Sequence, residues 1–350
     1  MKGIAIVVAT LVAMSSLAFG QNDMNPANRH PDPSAEAFNH FYNLDYDLAI
    51  KQFRDFTVAH PQSMEGWNYL AQAIFYSGLF DCGLMGSDLV KSNDAVLHAP
   101  KVVFPAEQDA ELQSAIGNAQ KIADARLKTN PRDAVALYEL GITYGLRANY
   151  ELLAKHAWLA GLRAADESRK LHEQVIKLDP NNYDARLIPG THQYLVGTLP
   201  LLARMVARAA GVSGDRVEGL KKVELTAARG DSARLDAQIL LAVLYRREHR
   251  SGDGIPILTK MTEIYPRNFL FRIELAKLYA DTGDRIRATA ELERIDRLIA
   301  QGAPGYCGSR ISMIRRNQAE VGVQIAQLPQ KPAVLASAAP RAQVRADLLK

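Results

Sequence analysis

The chain has eight histidines and two cysteines, and these are its best-suited residues for metal or nucleophile chemistry. Their spacing points elsewhere. No two histidines stand in a His-Glu-x-x-His arrangement, which would put two imidazoles on one helix face for zinc. Cys82 and Cys307 have no neighbouring His to take a thiol proton, and no Gly-x-Ser-x-Gly turn presents a hydroxyl. The glycines between Gly190 and Leu220 follow no strand pattern and are not succeeded by Lys-Ser/Thr, so they read as turns or close helix contacts instead of a phosphate cradle. Two polar–aromatic groupings remain as a candidate pocket: His156 with Trp158, and His192 with Tyr194 after the Pro189-Gly190 kink. Arg246, Arg247 and Arg250 surround Glu248 as a mixed, solvated cluster. No catalytic residue, no cofactor and no metal is therefore expected. A net charge of +4, evenly mixed in sign, gives no basic footprint for nucleic acid.

These residues must be positioned by helices. Residues 1–20 open with Lys2, continue apolar from Ile4 to Met14 apart from Thr10, and end in Ala18-Phe19-Gly20. This is the pattern of a secretory signal peptide cleaved after Gly20, and it places the mature chain in the periplasm of a Gram-negative bacterium. The alternative is a retained anchor, for which the run is short, since a span needs ~20 apolar residues. No second span is expected: Tyr194 to Gly211 is interrupted by Arg204 and Arg208 and reads as an amphipathic helix. Residues 21–33 read as a flexible leader. Helical patterns follow from Ser34 to Phe41 and from Tyr46 to Val58, where Ala49, Phe53 and Phe56 recur at helical spacing.

Four prolines (Pro61, Pro131, Pro180 and Pro266) each stand just after a helical pattern. Six residues beyond three of them a common template begins: Trp67, Leu70, Ala71; Leu137, Leu140, Gly141, Tyr144; Arg272, Leu275, Ala276, Tyr279. Leu241, Ala242 and Tyr245 repeat it. A large residue, Leu-small, then an aromatic resembles the tetratricopeptide repeat (TPR), a helix pair of ~34 residues. The expected fold is an all-α, TPR-like α-solenoid of stacked antiparallel helix pairs over 34–299. A loop and capping helix follow over 300–326, and an Ala/Pro-rich disordered tail over 327–350. Successive prolines lie 70, 49 and 86 positions apart. The excess falls between the first (A) and second (B) helix of a unit, giving enlarged A–B connections in the middle units near 79–109, 145–165 and 197–213. The stretch 190–220 further resembles a segment of Iml2-type TPR proteins. Two cysteines far apart in such an array are expected as unpaired thiols, with a disulfide as the alternative.

The TPR resemblance implies a binding rather than a catalytic protein, with ligands met on the concave face of the A helices. Carried over unit by unit, those positions are Glu65, Asn68, Gln72, Phe75, Tyr138, Asp236, Arg246 and Lys277. His172 falls on a B-helix slot that such units fill with a packing residue. The leading expectation is a non-catalytic scaffold that binds a protein or peptide partner through its concave surface. One alternative is a small-molecule or lipid binder whose pocket is closed by the insertions. The other is an enzyme with its site in that insertion layer.

Overall fold

In the computed structural model, the described residues are 33–85, 98–209 and 211–329. The expected signal peptide, the leader up to residue 32, residues 86–97 of the first insertion and the tail from 330 lie outside them. The helices are α1 (Pro33–Tyr42), α2 (Tyr46–Ala59), α3 (Met64–Asp81), α4 (Ala106–Thr129), α5 (Ala134–Asn149), α6 (Trp158–Leu178) and α7 (Leu187–Gly197). They continue as α8 (Leu201–Ala209), α9 (Arg216–Arg229), α10 (Arg234–Arg247), α11 (Ser251–Ile264), α12 (Phe269–Asp281), α13 (Arg285–Ala300) and α14 (Ser309–Ala326). The fold is all-α, and the described residues contain no strand. Consecutive helices pack as antiparallel pairs, with α3, α5, α7, α10 and α12 as first helices and α4, α6, α9, α11 and α13 as seconds.

The four prolines mark a device finer than spacing. Two residues after each comes a side chain that caps the next helical segment. Ser63 Oγ accepts from Gly66 N, and Asp133 Oδ1 from Ala136 N. Asn182 Oδ1 accepts from Ala185 N, and Asn268 Oδ1 from Leu270 N and Phe271 N. Each cap satisfies orphan N–H groups where Pro has just ended the preceding helix. The first helices α3, α5 and α12 are then buried on nearly every side, while the second helices keep a solvent face. A small residue in the template receives its partner's side chain: a Cβ on Gly141 would lie 2.5 Å from the His172 ring of α6.

The chain divides into two compact units, one of residues 33–38 and 46–240, the other of 39–45 and 241–329. Within the first, α3 ends at Asp81 and α4 begins at Ala106; Phe104 fills the space left by Gly78 and lies between Phe75 and Tyr150. The next connection extends α5 by a π-helical turn, Tyr150–Ala154, before α6 starts at Trp158. The third contains α8. There α7 and α9 close onto each other through glycine: a Cβ on Gly219 would stand 2.2 Å from Tyr194 N, and one on Gly197 2.2 Å from Arg216 N.

Within the second unit, the turn 39–45 seats on the start of α12. Asn268 Nδ2 donates to Tyr42 O at 2.7 Å, Arg267 N to Asn43 Oδ1 at 3.1 Å, and Asp45 pairs with Arg267. The α12–α13 pair is the regular one: Gly283, at φ 78°, makes the turn and Asp284 caps α13.

Candidate functional site

Six of the eight concave-face candidates are buried, and Glu65 and Arg246 are half-exposed. Asn68, Gln72 and Phe75 are 0–1% exposed, and Tyr138, Asp236 and Lys277 are 6–7% exposed. The first helices α3, α5 and α12 are enclosed, and the buried members of the set make their contacts inside the fold. Phe75 is a core residue packed against Tyr76 and Phe104. Asn68 ties α3 to α5. Its Nδ2 donates to Glu139 Oε2 at 2.8 Å, and its Oδ1 accepts from Thr143 Oγ1 at 2.8 Å. Burial pushes the Glu139 carboxyl up to about 8; the nearby Glu65 charge adds to this, and the bond from Asn68 opposes it. At neutral pH this acid is held neutral, so it links helices instead of attracting a cation. Tyr138 sits edge-on to His172 at 5.3 Å, in the field of Asp184 and Asp236. Asn68, Tyr138 and Asp236 thus lie in a packed interior around Glu139, with Glu65 half-exposed beside it. In the second unit, Lys277 pairs with Glu274 at 2.8 Å and Arg246 with Asp281 at 2.7 Å.

Three histidines, His156, His172 and His192, are likewise engaged in packing. His172 is fully buried, its Nδ1 2.7 Å from Ser168 O, and burial lowers its pKa to about 4. His192 on α7 is also lowered to about 4, by burial first and then by the charge of Arg169. Tyr194, two residues on, is wholly enclosed where α7 meets α9. His156 takes a left-handed backbone (φ 53°) and lies against the Trp158 ring at 5.5 Å, forming the wall of the α5–α6 connection. The candidate pocket therefore comprises two packing sites on different elements. Cys82 and Cys307 are free thiols.

A concavity opens among the helices of the second unit. In the second unit a cleft of about 370 Å³ runs between the second helices α11 and α13, floored by α12. Thr259, Thr262 and Glu263 line it from α11; Arg272, Leu275 and Tyr279 from α12; Arg287, Ala290, Glu291 and Arg294 from α13. Glu291 accepts from Arg272 at 3.1 Å and Arg294 at 2.5 Å, and the Arg287 guanidinium covers the Tyr279 ring at 4.6 Å. Arg272, Leu275 and Tyr279 are template residues, legible in sequence as packing positions. Their partners from α13 carry no motif.

The arrangement defines an all-α protein of stacked, proline-punctuated helix pairs. No protein-family model matches the chain, and no curated protein matches it by sequence. Among solved structures, the crystal structure of yeast Tom70 aligns over 92% of this chain and 69% of that one, at 13% identity and a TM-score of 0.32.

Proposed function

We propose that this chain is a non-catalytic, TPR-type scaffold that binds a protein or peptide partner in the periplasm. The observation that carries the reading is the α11–α13 cleft. It offers an aromatic wall, threonine hydroxyls and three arginines against two glutamates, a mixed surface suited to an extended or helical peptide with acidic side chains. The groups capable of acid–base chemistry support the non-catalytic part, because Glu139, His172 and His192 are neutral, buried and engaged in packing. The signal-like N-terminus supports export. The test is a photo-crosslinking side chain in place of Ala290, with Gly252 as an open-surface control. Discrete protein adducts at 290, lost on Arg294→Glu, are expected. A cleft of this volume also suits a small anionic molecule. Absence of adducts together with a co-purifying small molecule would replace the first reading with the second.

A further inference from the structure

Helix α8 departs from the rest of the first unit. Leu201, Leu202, Met205 and Val206 are 63%, 78%, 61% and 49% exposed, the densest run of exposed large apolar residues in the described chain. At 3.6 residues per turn they share one side with Ala209, while Ala203 and Ala207 fall on the other. That second side is the one packed down, on Val196 and Leu199 of the α7 end. The apolar stripe therefore points away from its own fold.

The excursion is held in shape. Residues 198–213 leave and return through a backbone contact, since a Cβ on Gly214 would stand 2.6 Å from Gly197 N and 2.4 Å from Val196 Cβ. Arg204 Nη1 donates to Gly197 O at 3.4 Å, and Gly211 at φ 80° turns the chain back. A clamped base and a capped return present the stripe as a fixed feature, and an exposed contiguous apolar surface of this kind marks an interaction site.

The side-chain types and charges select the occupant. The stripe is aliphatic, without the Trp or Tyr anchors that concentrate energy at protein interfaces, where Leu and Val are under-represented. Arg204 and Arg208 stand one turn apart on one edge of the stripe. Helix α8 contains no acidic residue, and the Asp215 carboxylate beyond it feels the charge of Arg204. An outward aliphatic stripe with a basic edge matches the headgroup–acyl boundary of an anionic bilayer. We propose that α8 is an interfacial helix that seats this protein on an anionic lipid surface. One short helix gives weak, reversible attachment, and the two arginines make it depend on salt and lipid charge. This role is separate from partner binding at the α11–α13 cleft.

The test is flotation of the full chain with vesicles of phosphatidylethanolamine and phosphatidylglycerol, and with vesicles of phosphatidylcholine alone. Roughly tenfold or stronger partition to the anionic vesicles is expected, with most of it lost in 0.5 M salt (roughly a 4 Å screening length) or in the Leu202→Gln/Met205→Gln variant. Both residues are exposed, so the far-ultraviolet circular dichroism of that variant should match the parent. A second measurement does not depend on loss. The Met205→Trp variant should shift its added indole emission to the blue, and be quenched by brominated lipid tails, only with anionic vesicles. No preference for anionic vesicles, flotation unchanged in the double variant, or an added indole that stays in water would each overturn the proposal. So would a concentration-dependent dimer abolished by Leu202→Gln, which would make the occupant a second copy. Loss of cleft crosslinks at position 290 would bear on the partner reading and leave this one standing.

Discussion

The pairs α12–α13 and α7–α9 are each the first and second helix of a repeat, yet they are joined by different physics. In α12–α13 the turn is Thr282-Gly283-Asp284: one positive-φ glycine, one capping carboxylate, and alanines such as Ala276 and Ala288 at full burial on the facing sides. Side chains in register hold that pair. In α7–α9 residues 198–215 intervene, and the helices nevertheless approach more closely, with glycine allowing backbone to meet backbone. Separation along the chain therefore does not weaken the pair. It frees the connection to carry something else, here α8, while the regular pair spends its connection on turning and offers its outer cleft instead.

The strongest way to break this comparison is at the clamp. In an open helix interior, Gly→Ala stabilises by ~1 kcal/mol through backbone entropy. Gly219→Ala should do the reverse, because its Cβ meets the Tyr194 main chain. A loss of about 3 kcal/mol in urea unfolding is expected, against a small gain for Gly117→Ala, which meets nothing within 4 Å. Equal effects at the two sites would mean the helices can part freely. Next in size is the regular pair's own tie. Glu291→Ala leaves Arg272, 12% exposed, without its carboxylate, and should cost about 3 kcal/mol. Arg294→Ala removes a half-exposed partner and should cost ~1 kcal/mol or less.

A pH series then separates the interiors. His172 and His192 fall from 6.5 to about 4 on folding, so the unfolded chain binds more protons there, and their contribution is lost as pH drops through 6.5 toward 4. Glu139 rises from 4.5 to about 8, so the folded chain binds the extra proton, and stability declines as pH climbs from 4.5 to 8. Two histidines outweigh one carboxyl below 6.5, which places the maximum near that value. Glu139→Gln should flatten the decline above it, and an unchanged decline would remove the buried acid from the account. The smallest effect belongs to the α8 surface. Leu202→Gln should alter unfolding by ~0.5 kcal/mol or less, since the residue packs on nothing it would lose.

The repeat was legible because its template is local. Leu-small-x-x-aromatic in a helix, with proline before it, must bury one helix face wherever it occurs, and Leu275-Ala276-Tyr279 alone implies a stacked partner. Capping at Ser63, Asp133, Asn182 and Asn268 is equally local, two residues past each proline. The TPR resemblance assigns the concave-face residues only a helical phase. Their burial was not legible, since Asn68 and Glu139 lie 71 positions apart and only the stacking of α3 on α5 turns two polar residues into one enclosed pair.

By itself, then, the sequence determined an all-α chain of helix pairs, where the first helices α3, α5 and α12 begin, and which connections are enlarged, because these follow from short-range periodicity and proline. Tertiary structure alone decided that Gly219 faces the Tyr194 backbone, that residues 39–45 close onto the start of α12 from more than 200 positions away, and that the α8 stripe points outward. Each of these is a contact between segments with no fixed spacing, so no local pattern records it.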